Sequence, residues 1–216
     1  MSAGRLDLDT KLALCRRYYE RASIPLLFRV TPFSQPESLD NFLEKRDFEA
    51  IDPTHVMTVP LESAGNEGRA TAIGAESRCV DVNEFAAVVG RLRGTPLSQV
   101  RAHQSRLQGS ALRDSSLRRA LYVDDEAVAA GQVVIEGDLA GLYDIVTAPP
   151  WRGRGFGSAL TALLLEDARA ARATAAYLQV DAGNADARGI YAKFGFEDRY
   201  AYWYRRPAGL VDDLLH

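Results

Sequence analysis

The sequence predicts an α+β fold in which a mostly antiparallel sheet is flanked by helices. Three observations carry this. Between residues 117 and 147, three apolar-rich runs are separated only by the turns Asp124-Asp125-Glu126 and Gly137-Asp138, the pattern of an antiparallel meander. Residues 142–174 then pass from a strand through a turn rich in glycine and arginine into an amphipathic helix. A strand, a helix and a last strand follow to residue 206, an order that does not alternate as a doubly wound sheet requires.

From the N-terminus, residues 6–22 read as a helix. Residues 26–61 and 176–206 share one pattern: a short β-rich run, a polar loop, a helix of about two turns, a phenylalanine and a long alternating strand. Leu27-Phe28-Arg29-Val30 falls on Tyr177-Leu178-Gln179-Val180, and FLEKRDF (42–48) falls on IYAKFGF (190–196). Each copy follows a helix, 6–22 and 158–174, which reads as a partial duplication. The small, polar, glycine-rich stretch 62–74 reads as a connector, dividing a partial unit (1–65) from a second domain (66–216). In that domain Phe85, Val88, Val89 and Leu92 mark a helix over 82–93. Gly94-Thr95-Pro96 ends it, and 96–108 forms a second helix that is polar on most of its surface. Strands over 117–124, 127–136 and 139–147 complete the meander.

Composition narrows the function classes. The 216 residues are 47% hydrophobic and 25% charged, the ordinary globular mix. No uninterrupted apolar run approaches the ~18 residues of a membrane helix, and the N-terminus lacks an apolar signal core. A soluble cytoplasmic protein that engages no membrane is the expectation. A net charge of −3 argues against general nucleic-acid binding. Only three of the 26 basic residues are lysine, which reads as a codon bias rather than a phosphate signal. Cys15 and Cys79 read as packing residues. His55, His103 and His216 have no partner at metal-ligand spacing, so no metal is expected.

Chemistry concentrates between residues 142 and 165, LYDIVTAPPWRGRGFGSALTALLL. Gly153, Gly155 and Gly157 leave the backbone open to a ligand. The amides of residues 154–158, including Phe156 and Ser158, would be the unpaired donors of a helix N-terminus, a place for phosphate or pyrophosphate. Arg152 and Arg154 add formal charge there. A Walker A lysine is absent. A dinucleotide site fits poorly, because Ala148-Pro149-Pro150-Trp151 intervenes after the strand and a meander precedes it.

Arg152-Gly153-Arg154-Gly155-Phe156-Gly157 resembles the R/Q-x-x-G-x-G/A acyl-CoA loop of the GCN5-related N-acetyltransferases (the GNAT superfamily). Asn184-Ala185-Asp186-Ala187-Arg188-Gly189-Ile190-Tyr191 resembles that family's N-x-x-A-x-x-x-Y, and Lys193-Phe194-Gly195-Phe196 its K-x-G-F continuation. The resemblance spans about residues 75–206. Tyr200-x-Tyr202-x-Tyr204 is similar to endings in a bacterial subgroup with duplicated halves, which would make the N-terminal unit a degenerate, structural half-copy.

The resemblance implies transfer of an acetyl group from acetyl-CoA, as co-substrate, to a primary amine of a small molecule or peptide in a ternary complex. Tyr191 would protonate the departing thiolate, and Asn184 would help hold the pantetheine arm. The strand before the loop would splay from its neighbour, so that Ile145, Val146 and Thr147 pair with pantetheine amides. Asp144 is the first candidate for general base, with Glu136 and Asp138 as rivals; the family's best-known glutamate falls near Gly141. A buried Asp144 acting only as a structural acceptor stays open, as does a Tyr191 that is simply a core aromatic. A non-catalytic acyl-CoA sensor is the alternative function, and a monomer or homodimer the expected assembly.

Overall fold

A computed structural model describes residues 6–65 and 74–209. Part of the connector (66–73) and His216 lie outside the described residues. The chain divides into two compact units, Met1–His55 with Asp181–Gly183 and Tyr200–His216, and Val56–Val180 with Asn184–Arg199. The units change over between residues 55 and 56, 180 and 181, 183 and 184, and 199 and 200, whereas sequence reasoning drew its boundary in the connector.

The smaller unit holds α1 (Leu8–Ala22), β1 (Phe28–Val30), α2 (Leu39–Glu44), the first part of β2 (Phe48–Pro60) and the last part of β8 (Glu197–Pro207). Asp7 caps α1 by accepting from the Thr10 amide, and Ser23 closes it in a left-handed conformation. β1 and β8 are antiparallel, with Arg29 opposite Tyr204. Leu12, Leu26, Val30, Leu43 and Phe48 form the core, with Cys15 packed against it. Arg205, 6% exposed, is held by Asp40 of α2 through Nε at 2.7 Å and a second nitrogen at 2.9 Å. Trp203 Nε1 donates to the same carboxylate.

The larger unit builds a sheet in the order β7-β6-β5-β4-β3, with the second part of β2 beyond β7. Its strands are β3 (Glu76–Cys79), β4 (Ser116–Val123), β5 (Glu126–Glu136), β6 (Leu139–Thr147) and β7 (Ala175–Asp181). β3 to β6 pair antiparallel and β6 pairs β7 in parallel, a mixed, mostly antiparallel α+β sheet. Cys79 ends β3 exposed and does not pack, which corrects its expected role.

Helices cover both faces. α3 (Val82–Arg93) is capped by Asp81 and ended by Gly94 at φ 69°; it lays Phe85, Val88, Val89 and Leu92 on Ala120, Tyr122 and Ala130. α4 (Leu97–Gly109) packs closely on α3, because a Cβ at Gly90 would strike Val100. α5 (Phe156–Ala170) packs Leu160, Leu164 and Leu165 on the other face, where Arg119 grips Asp167 through two nitrogens at 2.7 and 2.5 Å. This helix begins earlier and ends earlier than 158–174, because Ala173 turns back to the Ala168 carbonyl and Arg172 takes φ 64°. α6 (Ala185–Lys193) precedes β8. The order helix–strand–helix–strand thus occurs twice, α1-β1-α2-β2 and α5-β7-α6-β8. Among the described residues no helix is long and apolar enough to cross a membrane.

Asp40→Ala should destabilise the protein by about 2–3 kcal/mol, below the ~3–5 kcal/mol of a fully buried broken pair because Asp40 is partly exposed. The hydrogen bond from Arg205 comes first among the causes holding the Asp40 carboxyl below its ordinary range. Its contribution is therefore complete above the unfolded carboxyl's pKa and is lost as pH falls through the lowered folded one. Denaturant melts between neutral and acid pH should show the gap between wild type and Asp40→Ala closing in acid.

Candidate active site

The site begins with one irregularity in the sheet. Ala130 pairs Val146 and Gln132 pairs Tyr143, so Gly131 alone stands against Asp144 and Ile145. Gly131 admits the bulge because a Cβ there would press on Leu164, Ile145 and Leu160. Asp144 absorbs the extra residue at φ 53°. Beyond the bulge β6 keeps its bonds to β5 as far as Thr147, whereas its pairing with β7 ends at Leu142 and Leu178. Residues 143–147 therefore have no ladder to β7, and the backbone of Ile145, Val146 and Thr147 borders this gap.

The bulge aims Asp144 at α3 and α4. Its Oδ1 accepts from Arg93 at 3.0 Å, and its Oδ2 accepts from Gln132 Nε2 at 3.0 Å and lies 3.2 Å from His103 Nε2. Burial works to raise this carboxyl, but the His103 hydrogen bond and the Arg93 charge outweigh it and hold it below the usual range. So stabilised an anion is a poor proton acceptor. An ionised carboxylate can only accept, so the hydrogen between them sits on His103 Nε2, and in the neutral imidazole Nδ1 is the nitrogen with the lone pair. Sequence reasoning found no partner for His103; the fold brings one from 41 residues away.

The glycine turn lies at the other end of β6. Gly153 at φ 72° and Gly155 at φ 90° form it, and Gly155 is the N-cap of α5 with no side-chain cap, leaving the amides of Phe156, Gly157 and Ser158 without a capping side chain. Gly157 has a packing role, since its absent Cβ leaves room for Ile190 and Thr147. Arg152 donates Nε to the Thr147 carbonyl at 3.2 Å, and Arg154 lies over the Trp151 ring at 5.0 Å. Both arginines are exposed at the turn.

α6 carries the remaining pair. Asn184 caps it by accepting from the Ala187 amide at 3.1 Å, which leaves its side-chain NH2 for other work. Tyr191 is 8% exposed, lies edge-on to Phe196, and has its hydroxyl pushed up to about 12 by burial. It is protonated throughout the neutral range. On the α3 side of the sheet, Tyr143 and Tyr177 share a 2.6 Å hydrogen bond, and Tyr177 donates to Glu136 at 3.2 Å. Gly141 admits this pair, because a Cβ would strike both rings. The place near which the resemblance puts a glutamate is filled by tyrosine, and Glu136 is engaged by Tyr177. Among the described residues no group of three or more His, Cys, Asp or Glu could hold a metal ion.

Two further residues of this layer escaped sequence reasoning. Gln132, a lone polar residue in the apolar run AVAAGQVVI, was the visible signal; Arg118, directly opposite it across β4 and β5, had none beyond its place in a strand.

Comparison with known proteins agrees with this architecture. The chain is 25% identical over 210 residues to the uncharacterized N-acetyltransferase YobR of Bacillus subtilis (strain 168), covering 95% of this chain and 80% of that one. A GCN5-related N-acetyltransferase from Sphaerobacter thermophilus superposes with TM-score 0.71 at 18% identity, over 92% of this chain and 67% of that one. A tandem GNAT protein from the clavulanic acid biosynthesis pathway gives 0.70 at 16% identity, over 96% and 73%. At these identities the structures establish the fold alone. The sequence profile of the Acetyltransferase (GNAT) family matches residues 89–196, half of the chain and the span from within α3 to the end of the motif that follows α6, and the chain belongs to that family.

Proposed function

We propose that the chain is an acyl-CoA-dependent N-acetyltransferase that moves an acetyl group from acetyl-CoA to a primary amine within a ternary complex. The observation that carries this is the unladdered edge of β6 leading into an uncapped helix N-terminus. A pantetheine amide chain can pair with Ile145, Val146 and Thr147 there. A pyrophosphate can meet the amides of residues 156–158 under Arg152 and Arg154. Asn184 would steady the pantetheine through its NH2 group.

In this mechanism His103 Nδ1 takes a proton from the acceptor ammonium, and Asp144 positions the imidazole through Nε2. The freed amine attacks the thioester carbonyl carbon, and a backbone amide of β6 donates to the oxyanion. The tetrahedral adduct collapses with cleavage of the C–S bond, Tyr191 gives its proton to the leaving sulfur, and the second proton shed by the adduct's nitrogen returns through solvent to the Tyr191 oxygen, leaving a neutral amide and a free thiol. Burial that disfavours tyrosinate keeps that proton in place until the thiolate forms. We also assign residues 1–65 a structural role as a degenerate half-copy. The repeated element order and the likeness to a tandem GNAT protein support this, as does Leu43, the counterpart of Tyr191, lying buried in its core.

Acetyl-CoA should raise the melting temperature, whereas NAD and ATP should not. Gly155→Val, forced into φ 90° on the pyrophosphate path, should abolish that rise while the protein stays folded. An unchanged rise would move the phosphates elsewhere.

Tyr191→Phe should lower kcat by ~10²-fold with little change in KM for acetyl-CoA. Wild-type kcat in a folded variant would remove Tyr191 from the chemistry. For the base, His103→Gln should cut kcat by a similar ~10²-fold and leave acetyl-CoA-induced stabilisation intact. Full activity in that variant would return the role to water or to Asp144 itself. Thiol release on adding an amine separates all of this from a protein that only binds acyl-CoA.

A further inference from the structure

Adjacent arginines on β4 meet opposite fates. Arg119 points to α5 and is satisfied by Asp167. Arg118 points to the face that holds His103 and Asp144, is 8% exposed, and its guanidinium makes no hydrogen bond or ion pair with any described residue. Its Nε is fully buried and unpartnered. Burial leads the causes that depress this guanidinium, Arg113 repels it, and the charge of Asp81, whose Oδ1 caps α3, offsets them only in part without a bond to it.

Directly across the ladder stands Gln132, 4% exposed. Its Nε2 is committed to Asp144, a carboxylate that can only accept, so the orientation of the amide is determined. Its Oε1 is buried and unpartnered. A buried cation and a buried acceptor thus lie side by side without satisfying each other. Asp144 does not neutralise Arg118, because its oxygens serve Arg93, His103 and Gln132. A buried unpaired guanidinium costs a fold several kcal/mol, and an apolar side chain there would cost nothing. Such an orphan calls for an anion from outside.

The two orphans specify complementary halves of one ligand. Arg118 offers a cation with donors, the partner of a carboxylate. Gln132 Oε1 offers an acceptor, the partner of an ammonium. Directly opposed residues on neighbouring strands have Cβ atoms ~4.5–5.5 Å apart, so one small ligand can meet both side chains. We propose that the acceptor is an amino acid, its carboxylate bound by Arg118 and its ammonium by Gln132 Oε1 beside His103. This rests on the acetyltransferase reading above and adds the acceptor class to it.

The test uses the intact chain, acetyl-CoA and matched acceptors: the common α-amino acids and β-alanine, each amino acid's carboxamide, the corresponding decarboxylated amine, and O-phosphoethanolamine. Thiol release should favour at least one amino acid over its carboxamide and its amine by tenfold or more in kcat/KM. Arg118→Met should bring that amino acid down to the level of its amine, and Arg118→Lys should retain part of the preference. Arg118→Met should also melt no lower than wild type, since it removes an unpaired buried cation; a lower melting temperature would mean that Arg118 is a structural group and would overturn the proposal. Equal turnover of acids and amines by the wild-type chain would overturn it whatever the variants do, and preference for O-phosphoethanolamine would assign Arg118 to phosphate instead. Calorimetric titration of the preferred amino acid into the chain with CoA present reads binding without chemistry. If no amine releases thiol and acetyl-CoA does not stabilise the chain, the acetyltransferase reading fails, while amino-acid binding abolished by Arg118→Met would still stand. Absence of binding by any amino acid would overturn the proposal alone.

Discussion

The larger unit depends on a single-residue surplus in β6. Side chains alternate along a strand, so a regular β6 would send residue 144 toward α5 and keep 145 on the opposite face. With Gly131 facing two residues, Tyr143 and Asp144 both reach the α3 and α4 face, and Ile145 returns to Leu160 and Leu164. The strand also bends where its pairing with β7 stops. One bulge thereby positions a charged cluster and leaves a backbone edge without a ladder. The strained conformation at Asp144 is held by the same three donors that determine its charge.

Electrostatics then divide the two faces of the sheet. On the α5 face the buried ions are paired, Arg119 with Asp167, and that face serves stability. On the α3 face, donors outnumber acceptors around Asp144, and Arg118 and Gln132 keep unused valences. The contrast arises within one dipeptide of β4, so general burial does not explain it. A fold tolerates such imbalance where a ligand completes the bonding.

The hydroxyls around the gap follow a common logic. Tyr177 is raised well above the usual tyrosine range, burial leading and the Tyr143 hydrogen bond second, and Tyr191 is raised by burial alone. Both stay protonated in the neutral range and differ in their partners. Tyr177 is bound to Tyr143 and Glu136, whereas Tyr191 has no hydrogen bond from its hydroxyl among the described residues. Only the latter has its proton uncommitted, which suits a donor to a transient anion.

Features set by near neighbours were legible in the sequence. The turns at Asp124-Asp125 and Gly137 and the glycines at 153 and 155 each express a local backbone requirement, and each lies where the residues alone put it. The motifs at 152–157 and 184–191 were readable for the same reason, since each is written in consecutive residues or along one helix face. Tertiary structure alone decided the rest. Nothing in the order of residues distinguishes His103 from an exposed helical histidine until α4 docks on α3 and carries it to Asp144. Asp144 itself changed from an isolated carboxylate to an orienting anion because Arg93, His103 and Gln132 converge on it from three elements. Arg118 and Arg119 are chemically identical in the sequence; the pleat sends one to Asp167 and the other into a layer where Asp144 is bound by other donors. Local propensity sets φ and ψ within a few residues, whereas the charge state and orientation of a side chain depend on partners that only packing supplies.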